Sequence, residues 1–209
     1  SAFLQGLQCR KLLWHRYHAK ELFPPADALQ QAIFNQGHEV GALAKTLFPG
    51  GIEVAPGVTE FDAVCAETAR YLPQRRPLFE AAFQTGDGYA RVDILEPVGT
   101  DEWNLVEVKS STGCKDVYLQ DIAFQASVAT AAGLRLRRCF LLHINSAYRR
   151  VGAVDAARLF TRLDVTDAVQ GMARDIEEQL AELLPVAGAR QSPEVPIGPH
   201  CLAPYECPL

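Results

Sequence analysis

The 209 residues predict an α/β domain. Its core is a helix, three antiparallel strands, a crossover helix and a parallel strand, with extra helices around it. Three observations predict this. Residues 78–85, 89–96 and 103–110 are β-rich runs separated by short polar turns, a hairpin signal. A helical stretch from Asp116 to about Ala132 then leads to a fourth apolar run, Leu136–Ile144. A helix that links two strands of one sheet in this way is a crossover, so the fourth strand is expected parallel to the third. Helical patterns on either side of this block supply layers for a sandwich around a small mixed sheet.

The elements follow in order. Residues 3–22 read as a helix with Phe3, Leu7, Leu12 and Leu13 on an apolar face, ended by Phe23-Pro24-Pro25. Asp27 caps a second helix that carries Leu29, Ile33, Phe34, Val40, Leu43 and Leu47 and stops at Pro49-Gly50-Gly51. A short strand is expected over 52–58. Thr59 is placed to cap a helix through Phe61, Val64, Cys65 and Thr68, turning at Pro73. Gly86-Asp87-Gly88 joins the first two long strands as a tight turn. Gly133 ends the crossover helix. Helices are expected over 154–160 and 167–184, the last capped by Thr166 and ended by Pro185. The tail from Val186 to Leu209, rich in Pro, Gly and Cys, reads as irregular. Residues 1–209 are read as one domain with its core at about 26–146 and helical, cysteine-bearing ends at 1–25 and 147–209. The chain does not begin with Met, so it is read as a possible fragment of a longer protein, with a further domain or partner subunit.

Composition is that of an ordinary globular protein, and no apolar run reaches the length of a membrane span. No membrane partner and a reducing cytoplasm are therefore expected. The net charge of −5 argues against a protein that grips nucleic acid with its whole surface. Local basic clusters remain at Arg10-Lys11 with Arg16 and Lys20, at Arg75-Arg76, at Arg135 with Arg137-Arg138, and at Arg149-Arg150. An acidic protein can still carry a positive cleft.

The chemistry concentrates between Tyr89 and Ser110. Side chains alternate faces along a strand. With the second turn centred on Thr100, Asp93 falls across from Glu107, Arg91 across from Lys109, and Leu95 across from Leu105. Val92, Ile94, Val106 and Val108 take the opposite, core face. Either two-residue loop at Gly86–Gly88 also puts Glu80 beside Asp93. Facing carboxylates repel unless a cation lies between them. A hard cation such as Mg²⁺ takes one or two carboxylates and keeps its other positions for water and phosphate. Tyr118, Asp121 and Gln125 form a polar stripe on the crossover helix, which leaves the end of the strand bearing Glu107 and Lys109.

These residues resemble the PD-(D/E)XK nuclease superfamily in its RecB-like exonuclease branch, which includes CRISPR-associated RecB-like and AddB-type iron–sulfur nucleases. The resemblance covers roughly Gln30 to Ser146. It implies a restriction-endonuclease-like core. It also implies a catalytic centre of Asp93, Glu107 and Lys109, with Glu80 and Gln125 beside it. Asp93, Glu107 and the Val108 carbonyl would hold Mg²⁺ or Mn²⁺. Asp121 and Tyr118 are weaker candidates for contacting nucleic acid. Two features of that branch are altered. In Gly37-His38-Glu39-Val40-Gly41, a Gly stands where the branch places a metal-touching His, and His38 is adjacent. In Gln125-Ala-Ser-Val-Ala129, the branch's Tyr is missing, with Tyr118 or Tyr148 as substitutes.

The same resemblance extends to cysteine. Cys9, followed by basic and aromatic residues, and the late pair Cys201 and Cys207 resemble the arrangement that clasps the ends of those nucleases around a [4Fe–4S] cluster. Such a cluster normally takes four thiolates. Three are in place, and His200 beside Cys201 could complete a zinc site instead. Cys65, Cys114 and Cys139 lie within the core pattern and read as small buried hydrophobes.

The implied activity is metal-dependent hydrolysis of DNA at single strands or ends, as a deoxyribonuclease and exonuclease, with DNA repair or defence as the family's setting. Trp14, Tyr17, Tyr89 and Trp103 are available as stacking platforms. The alternative is a non-catalytic nucleic-acid-binding or docking module of a larger protein. A third reading makes the acidic hairpin a solvated strand face.

Overall fold

The computed structural model describes residues 1–86 and 88–209. Among these, six strands form one sheet in the order β1 to β6: β1 Ile52–Glu53, β2 Leu78–Thr85, β3 Gly88–Val98, β4 Glu102–Lys109, β5 Leu136–Ile144 and β6 Phe160–Asp164. The β2–β3 and β3–β4 pairs are antiparallel, and β4–β5 is parallel. β1 adds a short parallel edge beside β2, and β6 an antiparallel one beside β5. The helices are α1 Ala2–Gln8, α2 Arg10–His18, α3 Ala28–Lys45, α4 Phe61–Tyr71, α5 Asp116–Ala131, α6 Ala156–Leu159, α7 Thr166–Gly171 and α8 Ala173–Ala187. None is long and apolar enough to cross a membrane.

Register places the two core layers. Ile94 faces Val106, and Leu95 faces Leu105. Ile94, Val106 and Leu142 pack under Val40, Ala44 and Phe48 from the α3 region. Leu95, Leu105 and Leu141 pack on the other face with Ile122, Ala126 and Ala129 of α5. Val92 departs from the expected alternation and joins the α5 layer. The cause lies in the facing strand. Glu80 holds a left-handed backbone, φ 60°, between the paired positions Phe79/Ile94 and Ala81/Val92. The strand kinks there without an inserted residue.

Other differences have local reasons. The first helix is broken at Cys9, whose extended backbone ends α1 and starts α2. A 3₁₀ turn at Lys20–Leu22 follows. The strand expected over 52–58 shrinks to Ile52–Glu53, because α4 covers the rest of that edge. Ala82 N there donates to the buried Thr68 Oγ1 at 2.9 Å. Glu60, not Thr59, occupies the N-cap of α4. The 154–160 helix is one turn, and the chain continues as strand β6. Val165 is the N-cap of α7, and Thr166 its first residue. Pro185 lies inside α8, which runs on to Ala187. The Gly86–Gly88 turn includes Asp87, outside the described residues. The flanking pair Thr85/Gly88 fits a two-residue connection.

Candidate functional site

The split between β3 and β4 creates the site. Their pairing runs from Val98/Glu102 to Ile94/Val106 and stops there. Past that point Asp93 Oδ2, rather than a backbone carbonyl, accepts the Val108 N–H at 2.8 Å. One residue's N–H and C=O point the same way in a strand, so the Val108 carbonyl is also directed into the split. Arg91 does not meet Lys109. It turns back to β2, where its Nε lies 3.8 Å from Glu80 Oε2.

Lys109 joins two elements. Its Nζ donates to Glu107 Oε1 at 2.5 Å and to Asp121 Oδ2 at 2.9 Å. Gln125 Nε2 donates to Glu107 Oε2 at 2.8 Å. Asp121 also accepts from Ser1 Oγ at 3.0 Å. The polar stripe of α5 is therefore no wet face: Asp121 and Gln125 are each only 6 % exposed, and Glu107 is 3 % exposed. Tyr118, also buried, lies under Lys109 with the ammonium 5.5 Å from its ring centre. The single crossover from β4 through α5 makes these encounters possible, because it lays α5 across the face that carries Glu107 and Lys109.

The charges compete. Asp93 touches water but has protein around it. Burial first, and then the charge of Glu107, push its carboxyl well above the ordinary range, against the pull of Lys109 and the Val108 N–H. Burial pushes Glu107 up too. Lys109 and Gln125 oppose that rise, and Asp121 adds to it. Burial alone would lower the Lys109 ammonium, but Glu107 and Asp121 outweigh it and hold it above its ordinary value. Burial also works against the Asp121 charge, but Lys109 outweighs it, and Asp121 ends below the usual carboxylate range.

Glu80 stands next to this centre without joining it. Lys45 Nζ lies 3.4 Å from Glu80 Oε1 and 2.8 Å from Glu53 Oε1. The charge of Glu80 still adds to the rise at Asp93. His38 is exposed on α3. The hydroxyl of Tyr148 accepts from Asp155 N within its own loop. Sequence reasoning missed Lys45 and Tyr205. Tyr205 comes within electrostatic range of Tyr118, Lys109 and Asp121, and burial pushes its hydroxyl up. No local pattern marks either residue, since each arrives from a distant segment.

A cleft of about 730 Å³ opens over the centre. Glu107, Asp121, Gln125 and Arg91 line it, with Arg16, Tyr17, Lys20, Phe61 and Tyr89 higher on its walls. Gln125 Oε1 is buried there without a hydrogen-bond partner. Of the other basic residues singled out, Arg75 is structural: it lies over the buried Trp103 ring and donates to the carbonyls of Val98 and Glu102. Arg10, Arg135 and Arg138 pair with Glu182, Asp101 and Asp164.

A buried carboxylate, Glu107, and a half-buried one, Asp93, that repel each other, a carbonyl aimed between their strands and an orphaned amide oxygen suit a hydrated divalent cation. Mg²⁺ needs only one or two carboxylates if water fills its other positions. An all-protein cage is a different matter: among the described residues, no three His, Cys, Asp or Glu side chains converge to hold a metal.

The segments that carry the early and late cysteines are joined by hydrogen bonds. Gln8, beside Cys9, donates to the His200 and Tyr205 carbonyls at 2.8 and 2.6 Å. Cys207 N donates to Cys201 O at 2.8 Å. The two ends of the chain thus meet near these residues, but among the described residues the cysteines and His200 do not converge as a metal-holding group. Three thiols do not make the four-thiolate set of a [4Fe–4S] cluster. His200 Nε2 lies 3.6 Å from Cys201 Sγ. Cys139 is buried as expected, Cys65 is half-buried, and Cys114 is exposed, contrary to its reading as a core residue.

No protein-family model matches the chain, and a search of curated proteins gives no match.

Proposed function

We propose that this chain is a divalent-metal-dependent nuclease of the PD-(D/E)XK type it resembles, with a restriction-endonuclease-like core. It hydrolyses DNA phosphodiester bonds at single strands or ends. One observation supports this reading above the others: Lys109 is clamped between Glu107 and Asp121 beside the Asp93 split, and those two partners line a cleft. A solvated strand face would carry no such buried and mutually bonded charges.

Asp93, Glu107 and the Val108 carbonyl would hold Mg²⁺ or Mn²⁺, which when bound polarises the phosphate and lowers the pKa of an attacking water. Lys109 supplies a fixed positive charge against the negative charge that develops on the phosphate. Its two carboxylate partners hold it in place, so little reorganisation accompanies the reaction. The free Oε1 of Gln125 accepts a hydrogen bond from the water and orients it. Asp121 positions Lys109 and touches no reacting atom.

End-labelled single-stranded and duplex DNA, incubated with Mg²⁺, Mn²⁺ or EDTA beside Glu107→Ala and Lys109→Ala, tests the reading. Metal-dependent product that vanishes in both variants supports it. A second reading, a non-catalytic nucleic-acid-binding module, draws on the exposed His38 and the altered Tyr position. It predicts tight DNA binding by the folded protein and no cleavage in any metal.

A further inference from the structure

The upper walls of the cleft differ from its floor. On one wall, Phe61 opens α4 and stacks on Tyr89 of β3, with ring centres 4.1 Å apart and planes 22° from parallel. Phe61 is 56 % exposed, although nothing in its own helix requires an aromatic there. Tyr17, 59 % exposed, and the exposed Arg16 and Lys20 line the same cleft from the α2 region. Neither Arg16 nor Lys20 makes an ion pair among the described residues. Gln125, whose Oε1 is buried without a partner, lines the same cleft with another part of the residue.

We propose that this part of the cleft is a binding subsite for one unpaired DNA strand, in which a base stacks on the Phe61–Tyr89 pair while Arg16 and Lys20 hold its phosphates. The proposal deepens the nuclease reading and names the feature that selects single strands. Strand grooves combine positive charge with exposed aromatic faces, and base–aromatic stacking tolerates every sequence because each base has a π-face. An already stacked pair is pre-ordered, so the outer face of Phe61 loses little freedom when a base covers it. A paired base inside a duplex has both faces covered by its neighbours and cannot use the platform. The cleft, about 730 Å³, has room for a short stretch of strand. A purely apolar ligand would leave Arg16 and Lys20 without a role.

The test separates binding from cutting. Fluorescence anisotropy of labelled oligo(dT) is measured in Ca²⁺ with the wild type, Phe61→Ala, Phe61→Leu and Phe61→Trp, beside a labelled duplex, and cleavage by the wild type is followed in Mg²⁺. Phe61→Ala and Phe61→Leu are expected to bind oligo(dT) about tenfold more weakly, within the range of one lost base stack, and Phe61→Trp is expected to bind as the wild type does. A 2-aminopurine base in the strand should be quenched by the wild type and not by Phe61→Ala. Unchanged affinity in Phe61→Ala, or a wild type that binds duplex as well as single strand, overturns the subsite. Such a result leaves the nuclease reading intact if metal-dependent cleavage is present. Stacking without cleavage supports the subsite and removes the nuclease. Failure of the wild type to bind oligo(dT) removes both.

Discussion

Lys109 decides the state of three carboxylates. It answers Glu107 and Asp121 directly, and its charge reaches Asp93. Removing one partner of a buried ion pair leaves an uncompensated charge, which costs about 3–5 kcal/mol. Lys109→Ala should therefore unfold at markedly lower denaturant, and Lys109→Ala with Asp121→Asn should recover part of the loss. Denaturant melts of the single and double variants measure this coupling. The pH dependence has a definite sign. Asp93 is raised above its unfolded value of 3.8, so the folded state binds the extra proton, and stability falls as pH rises through the folded pKa. A divalent cation that replaces that proton relieves the repulsion. Mg²⁺ should then raise the melting temperature more at pH 8 than at pH 5. Equal stabilisation at both pH values would mean that the ion binds elsewhere.

At the scale of elements, the chemistry depends on how strand edges end. β1 covers β2 for two residues, and Thr68 of α4 then supplies the acceptor for Ala82 N. Thr68→Val keeps the shape and leaves that buried N–H without a partner, a cost of about 1–3 kcal/mol. Amide exchange at Ala82 should quicken in this variant. At the other side, Arg162 of β6 makes two hydrogen bonds to Glu96 of β3, at 3.2 and 2.5 Å. Burial pushes Glu96 up, but Arg162 and Asn104 outweigh it and hold the carboxyl below 4.5. Its contribution is therefore present above pH 4.5 and lost as pH falls through the lower, folded value. Both side chains are partly exposed, so Arg162→Ala should cost no more than about 1 kcal/mol at neutral pH, and nothing in acid.

Strand runs, the crossover and the Leu95/Leu105 register were legible because each rests on local alternation or on one short turn. The strand β6 was not, since Phe160–Asp164 is short and pairs only by returning to β5. Asp93, Glu107, Lys109 and Gln125 were legible as a group because the crossover fixes their faces. The role of Asp121 as the third corner of the lysine clamp was not, because a polar helical stripe reads the same wet or buried. Arg91 was misplaced because the strands separate after the Ile94/Val106 pair, three positions before it, and sequence alternation carries no sign of that separation.

Across the whole molecule, the two ends of the chain are bonded to each other beside α5 and α8. Gln8 holds the tail by two carbonyls, the Trp14 indole donates to Ala189 O, and His18 bonds Ala187 O. These contacts bring Tyr205 toward the site and build the Arg16–Lys20 wall. Gln8→Ala should free the tail, and limited proteolysis should cut it after about residue 190 several-fold faster, with the sheet intact. An unchanged digestion pattern would show that the tail is held by other means.

The most direct measurement is the single-turnover rate of cleavage of an end-labelled DNA strand in Mg²⁺ by the wild type and by Glu107→Gln, which keeps the shape and removes the charge. The account predicts cutting that EDTA abolishes, slowed by about 100-fold or more in the variant, the scale of losing one preorganised electrostatic group. A folded wild type that cuts nothing in Mg²⁺ or Mn²⁺, or a variant that cuts as fast as the wild type, would contradict it.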